Sequence, residues 1–284
     1  MNNIQLIQHI KFKFFDRNKL NHHSLILYIG RDEISYSIIN DNDNTAVCLK
    51  SYRIKEIGNF FAYKLLVKDF FEQEDLLHTA FKSVTVGLNF ANYTLIPARY
   101  FEEEHIEKFY SFNYPYDGSA KLCHDHISSA KVANIYAIDA YLIETIQERF
   151  PNSQIKHAIS YLLEDMLSEN IYNKNKILYL NIQKHHVDIV GLNGNNLVFL
   201  NSYYYQIQED LLYYALNAAQ QIGFDYAQDE CLLSGEVVAD YPQYQILKTH
   251  FQHLKFVERP SYCAYCEELN VLPSNYHYNL FCIH

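Results

Sequence analysis

A chain of 284 residues is long for one core and comfortable for two, and with 49% apolar and 20% charged residues it can bury enough surface to fold, which excludes a disordered polymer. A formal charge of -10 repels a phosphate backbone, so no nucleic-acid partner is expected. No apolar run approaches the ~20 residues that cross a bilayer, so no membrane insertion is expected, and six cysteines set mostly in apolar segments point to the reducing cytoplasm.

In chain order, Met1 to Phe15 mixes Gln, His and Lys among its hydrophobics and fits neither a span nor a signal peptide. Three strands follow, Ser24 to Ile29, Glu33 to Asn40 and Thr45 to Arg53. They are joined through Gly30-Arg31-Asp32 and Asp41-Asn42-Asp43-Asn44, residues that tolerate the positive φ of tight hairpins. The pattern then predicts a helix over Asn59 to Phe71, a strand over Phe81 to Leu88, a shorter strand before Pro97 and helix over Glu102 to Tyr110. A strand over Val132 to Ile138 and a helix over Asp139 to Phe150 come next. A second strand triplet is predicted at Lys176 to Ile182, His185 to Leu192 and Leu197 to Tyr204. Ile207, Leu211, Ala215, Ala218 and Ile222 then recur at spacings of three and four, marking the buried face of a helix that ends at Gly223. A strand over Glu230 to Ser234, a helix over Tyr241 to Gln252, a strand over Leu254 to Val257 and an apolar closing strand over Asn279 to Ile283 complete the reading.

The two triplets are related. Laid without a gap, residues 26–52 match residues 177–203 at ten of 27 positions, among them Tyr28/Tyr179, Ile38/Ile189, Ser51/Ser202 and Tyr52/Tyr203. Three meander strands, a helix, a strand, a helix and a strand is the order of the ribonuclease H-like fold. The expected class is therefore α/β, a duplicated ribonuclease H-like fold with an actin-like two-lobed architecture of mixed sheets flanked by helices. The expected lobes are residues 1–150 and 151–284.

Through Leu27-Tyr28-Ile29-Gly30, Tyr93-Thr94-Leu95-Ile96-Pro97 and the run from Leu180 through Phe199 to Leu233-Ser234-Gly235, the chain resembles the DUF3822 family, a divergent branch of the actin-like ATPase superfamily near its pilus-assembly and secretion members. Active members of that superfamily carry Asp-x-Gly after the first strand of each lobe, where the acid holds a magnesium-bound water and the glycine admits phosphate. Here the first turn reads Tyr28-Ile29-Gly30 and the second Asn181-Ile182-Gln183. The resemblance also implies a Gly-Gly adenosine cradle, but Gly235 is followed by Glu236. It thus implies a cleft lined by Tyr28, Gly30, Arg31, Asn181, Gln183, Gly235 and Glu236, with no catalytic residue and no cofactor, in a protein that binds another protein. The alternative is a nucleotide-dependent phosphotransferase or ATPase using side chains such as Arg31, Asn181 or Gln183. Only eight glycines occur, and no phosphate-loop signature is among them.

Other constellations have plain explanations beside the functional ones. Cys263, Cys266, Cys282 and His284 have spacings that zinc sites use, and Cys263 with Cys266 those of a redox pair, against which stands a structural thiol pair. His124 and His126 fall on one side of a strand around Asp125, as surface histidines also do. Glu102-Glu103-Glu104 suits a helix start, where carboxylates meet unsatisfied amides. Ser234 lacks a nucleophile elbow and a placed base. In Tyr203-Tyr204-Tyr205 alternate rings point opposite ways, so at least one is expected to be exposed and to offer a partner contact.

Overall fold

The computed structural model describes residues 3–55, 60–90, 92–169 and 175–284. In chain order the elements are β1 (Ile4–Lys11), β2 (His23–Gly30), β3 (Glu33–Asn40), β4 (Thr45–Ile54), α1 (Phe60–Gln73), β5 (Ser83–Asn89), β6 (Tyr93–Pro97), α2 (Ile106–Ser111), β7 (Lys121–Ile127), β8 (Val132–Ile138), α3 (Ala140–Arg149), β9 (Gln154–His157) and α4 (Ala158–Glu169). They continue with β10 (Lys176–Ile182), β11 (His186–Asn193), β12 (Asn196–Tyr204), α5 (Gln208–Ile222), β13 (Glu230–Gly235), α6 (Pro242–Lys248), β14 (Leu254–Phe256), β15 (Ala264–Tyr265) and α7 (Tyr278–Phe281). Among the described residues no helix is long and apolar enough to cross a membrane.

Two compact units emerge. One holds Met1–Leu163, Ser261–Val271 and Leu280–His284; the other holds Glu164–Pro260 and Leu272–Asn279. The division differs from a single cut near residue 150, because two C-terminal stretches belong with the first unit.

The first unit's main sheet has the order β1-β4-β3-β2-β5-β9, with β15 also on β4, and the second unit's sheet has the order β12-β11-β10-β13-β14. Within these, β4-β3-β2-β5-β9 and β12-β11-β10-β13-β14 share order and sense: two antiparallel pairings, then two parallel ones. The duplication is therefore a property of topology. Its alignment needs a gap, however. Ile29↔Ile34 and Ile182↔Val187 are the last pairs before the first turns, so β2 and β10 correspond at an offset of 153 (182 minus 29) and Tyr28 stands where Asn181 does. The next turn holds four residues between Asn40 and Thr45 but two between Asn193 and Asn196, which returns β4 and β12 to the gapless offset of 151. A slip of two keeps every side chain on its own face, so the gapless repeat preserved pattern while misplacing residues.

Burial follows from covering both faces. In β10 every residue from Ile177 to Ile182 is buried, as expected of a central strand between layers. Leu178, Leu180 and Ile182 meet Leu211, Ala215, Ala218 and Ala219 of α5 and Leu247 of α6. Helix α5 starts where the Asp210 carboxylate accepts the amides of Gln206 (3.0 Å) and Ile207 (3.3 Å), and it stops at Gly223, in the left-handed region at φ 63°.

Several elements depart from the sequence reading. The first strand, β1, pairs antiparallel with β4, although its polar-rich sequence hides any clean alternation. A separate three-stranded sheet, β6-β8-β7, is inserted between β5 and α3. The expected closing strand is instead the short helix α7: Tyr278, Leu280, Phe281, Cys282 and Ile283 are all buried, and a continuous apolar run carries no period to separate strand from helix.

Candidate functional site

Ligands of open α/β sheets gather at the carboxyl ends of parallel strands. In the second unit those ends are Asn181-Ile182 of β10 and Ser234-Gly235 of β13. Register places four polar residues in one row across four strands, Ser202↔Asp188↔Asn181↔Ser234. Asn181, Asp188 and Ser234 are at most 3% exposed.

The hydrogen bonds converge on Asp188 from both sides. Ser202 Oγ donates to Asp188 Oδ1 (2.5 Å) and Asn181 Nδ2 donates to Asp188 Oδ2 (2.8 Å), so both carboxylate oxygens are occupied. Ser234 Oγ donates to Asn181 Oδ1 (2.9 Å). The Tyr179 hydroxyl bonds Ser234 Oγ as well, and because the Ser234 proton is already directed at Asn181, the tyrosine is the donor. An ionised carboxylate only accepts, which fixes the Asn181 amide with nitrogen toward Asp188 and oxygen toward Ser234. Ser234 has its proton committed and no base beside it, so it is not set up as a nucleophile.

The turn beyond β13 is closed just as tightly. Gly235 has φ 97°, and a Cβ there would overlap the Ile182 carbonyl, so this glycine is required by the backbone. Its N–H donates to the Asn275 carbonyl (3.0 Å), and Asn275 Nδ2 donates to the carbonyls of Gly235 and Val237 (2.8 Å each). Asn275 is itself buried. Glu236 is half-buried; the Tyr276 hydroxyl is pushed up in pKa by burial, then by Tyr241 and the Glu236 charge. Gln183 turns the chain through its N–H to His186 O (2.9 Å), while its carbonyl accepts the Tyr205 hydroxyl.

The first unit's corresponding row is Ser51↔Ser35↔Tyr28↔Gly87. Tyr28 is buried, accepts the Asn89 amide at its hydroxyl (2.6 Å), and lays its ring against Gly30, where a Cβ would stand 3.1 Å from the ring. The Gly30 carbonyl accepts the Tyr63 hydroxyl (2.8 Å), whose pKa burial pushes far up. Over Gly87 sits Ile283, so close that a Cβ at 87 would lie 2.5 Å from its methyl. Arg31 is exposed in the turn. Thus Tyr28, Gly30 and Arg31 gather in the first unit, and Asn181, Gln183, Gly235 and Glu236 in the second. Asp188 and Ser202 were missed by sequence; the seven-residue spacing of Asn181 and Asp188 around a four-residue turn was the available signal.

Cys263, Cys266, Cys282 and His284 lie in the C-terminal stretches that belong with the first unit. Among the described residues the one group of three or more ligand atoms within 4.8 Å consists of exposed Glu102 and Glu104 with half-buried His105. Cys263, Cys266 and Cys282 are buried free thiols, and burial pushes Cys263 up to about 11. His284 instead packs on the Tyr262 ring (4.3 Å between centroids). His124 and His126 do share a face of β7, 5.1 Å apart, both against Phe101. Asp125 points the other way, into a buried cluster where it accepts from Ser160 Oγ (2.7 Å), His157 N (2.8 Å) and Tyr136 (3.1 Å). The Glu102 carboxylate bonds His105 (2.7 Å) ahead of α2. Of the tyrosine triplet, Tyr205 is buried, Tyr203 stacks on Tyr214 (4.3 Å) and Tyr204 is exposed.

Comparison with known proteins agrees with this architecture. The model of DUF3822, described as a protein of unknown function, matches residues 13–254. A Bacteroides thetaiotaomicron protein with actin-like ATPase fold and unknown function is similar at TM-score 0.75 and 23% identity, over 86% of this chain and 94% of that one. The PilM-PilN type IV pilus biogenesis complex is similar at TM-score 0.57 and 13% identity, over 92% and 97%. These likenesses show the fold, which is the actin-like ATPase fold. A Buchnera aphidicola protein carrying the name of the chaperone PpiD is 34% identical over 68 residues, 24% of this chain. The chain spans 13% of that relative's length.

Proposed function

The chain belongs to the DUF3822 family, and we propose that it is a cytoplasmic, non-catalytic actin-like protein that acts by binding another protein. The observation that carries this reading is the closed polar row. Where a magnesium-holding acid is expected from the superfamily resemblance, Asn181 offers an amide, and the neighbouring acid, Asp188, has both oxygens engaged by Asn181 and Ser202. The turn beyond it commits the Gly235 N–H, the kind of donor a phosphate cradle uses, to the Asn275 carbonyl. Recruiting these groups for phosphate or metal means breaking buried hydrogen bonds, each costing about 1–3 kcal/mol when a partner is left unsatisfied. Six free cysteines, five of them buried, suit a reducing compartment.

The protein-binding part of the proposal rests on the fold shared with PilM, which forms a complex with PilN, and is an analogy of fold. Thermal unfolding with and without millimolar Mg-ATP tests the first part. A ligand at 100 times its Kd adds about 2.7 kcal/mol; no shift is expected, and a clear one favours the nucleotide-dependent alternative. Affinity capture from native cells under gentle conditions tests the second. Recovery of this chain by itself counts against a binding role.

A further inference from the structure

The edges of the two main sheets are treated unequally. In the first unit the outer edge of β4 is covered, by β1 antiparallel along Cys48–Ile54 and by β15 at Thr45 and Ala46. Strand β12 holds the same place in the second unit, yet among the described residues it ends the sheet with β11 as its partner. The remaining ends are blunted: β14 has three residues including Lys255, β9 has four including Lys156, and β1 has a bulge with His9 and Lys11 beyond it. Strand β12 has a bulge at Val198 and a side-chain bond from Ser202 N–H to Asn201 Oδ1 (2.9 Å), but it is long and carries no charge. Its nine residues, Asn-Leu-Val-Phe-Leu-Asn-Ser-Tyr-Tyr, include no charge, no proline and no glycine, and Val198 and Tyr204 are 49% and 53% exposed.

We propose that β12 is a pairing edge whose occupant is β12 of a second copy, joined antiparallel about a twofold axis to continue the sheet. The internal precedent is β1 on β4, which shows that the duplicated edge accepts an antiparallel strand. Self-pairing is favoured by charge. A molecule of net charge -10 repels its copy over most of its surface, and a twofold axis sets each edge residue against a same-face residue of the identical strand, so any charge there meets like charge in some register. An uncharged strand meets none. Register shifts opposite Gly191 and Leu192, which leaves Phe199–Tyr204 as the regular stretch. A contact of that length belongs with weak, concentration-dependent interfaces.

The test is sedimentation velocity of the full chain from about 1 to 100 µM, with hydrogen exchange at both extremes. Monomer converting to dimer is expected, with exchange slowing in Asn196–Tyr204 as concentration rises, and with association strengthened by salt as the net repulsion is screened. Val198→Lys with Tyr204→Lys, checked for an unchanged urea midpoint, is expected to weaken association at least tenfold. A chain that stays monomeric throughout, or a dimer whose new protection lies outside β12, overturns the proposal. The wild-type exchange measurement decides the matter even if the double variant fails to fold.

Discussion

Replacing Asn181 by the acid that the superfamily pattern calls for is expected to damage the protein. In Asn181→Asp a second carboxylate lies where the amide nitrogen is now, 2.8 Å from Asp188 Oδ2. At an effective dielectric constant of 20, two charges at that distance repel by about 6 kcal/mol. Protonating one carboxyl at pH 7 instead costs about 4 kcal/mol, taking an unfolded-state pKa of ~3.9. The cheaper course prevails, and the folded variant holds one proton more than its unfolded chain. Stability then falls as pH rises, because the native state binds the extra proton. Relative to wild type the deficit is about 1.5 kcal/mol at pH 5 and about 4 kcal/mol at pH 7, a slope of about 1.4 kcal/mol per pH unit. Urea unfolding of both proteins at pH 5, 6 and 7 measures it. The exchange Asn181→Asp with Asp188→Asn restores one amide facing one carboxylate and is expected to recover most of the loss and abolish the slope. A single variant as stable as wild type at pH 7, or a deficit that does not change with pH, refutes the reasoning.

Asn275→Ala leaves the carbonyls of Gly235 and Val237 without their shared donor, and denaturant titration is expected to show a loss of about 3 kcal/mol. Gly235→Ala must hold a side chain at φ 97° against the Ile182 carbonyl, so a loss above about 2 kcal/mol is expected by the same assay. Burial alone raises the Glu74 carboxyl, but hydrogen bonds from Lys50 (2.7 Å) and Tyr52 outweigh it and hold the group below its ordinary pKa. Its stabilisation is therefore present above the unfolded value of ~4.3 and is lost as pH falls through the lower folded value. In Glu74→Gln, the dependence of melting temperature on pH below about 4 should flatten.

Where apolar alternation or a helical period is strong, sequence and structure agree closely. β8 spans Val132–Ile138 as read, and α5 buries Leu211, Ala215 and Ala218 of the marked face, while Ile222 is half-buried and Ile207, the residue that caps the helix, is exposed. Strands with mixed composition escaped: β1 interleaves Gln5, Gln8 and His9 with its apolar residues, and β9 is four residues long. At the site, a search for an acid at the motif position stops at Asn181, since the compensating carboxylate lies across a hairpin on β11 and becomes a neighbour only through register. Asn275 was further out of reach. Its partners lie 38 and 40 residues upstream, and no local pattern specifies that contact.

The seating of Ile283 over Gly87 also sets an order of events during synthesis. The strands β2 to β5 are made early and can pair as they emerge, but the gap above Gly87 stays unfilled until residues 280–284, which belong to the same unit, have been translated. A nascent chain stalled anywhere in Glu164–Pro260 therefore presents a first unit with a bare glycine notch and β4 lacking β15. Completion of the first unit's main sheet is thus governed by residues made about 200 positions after its central strands.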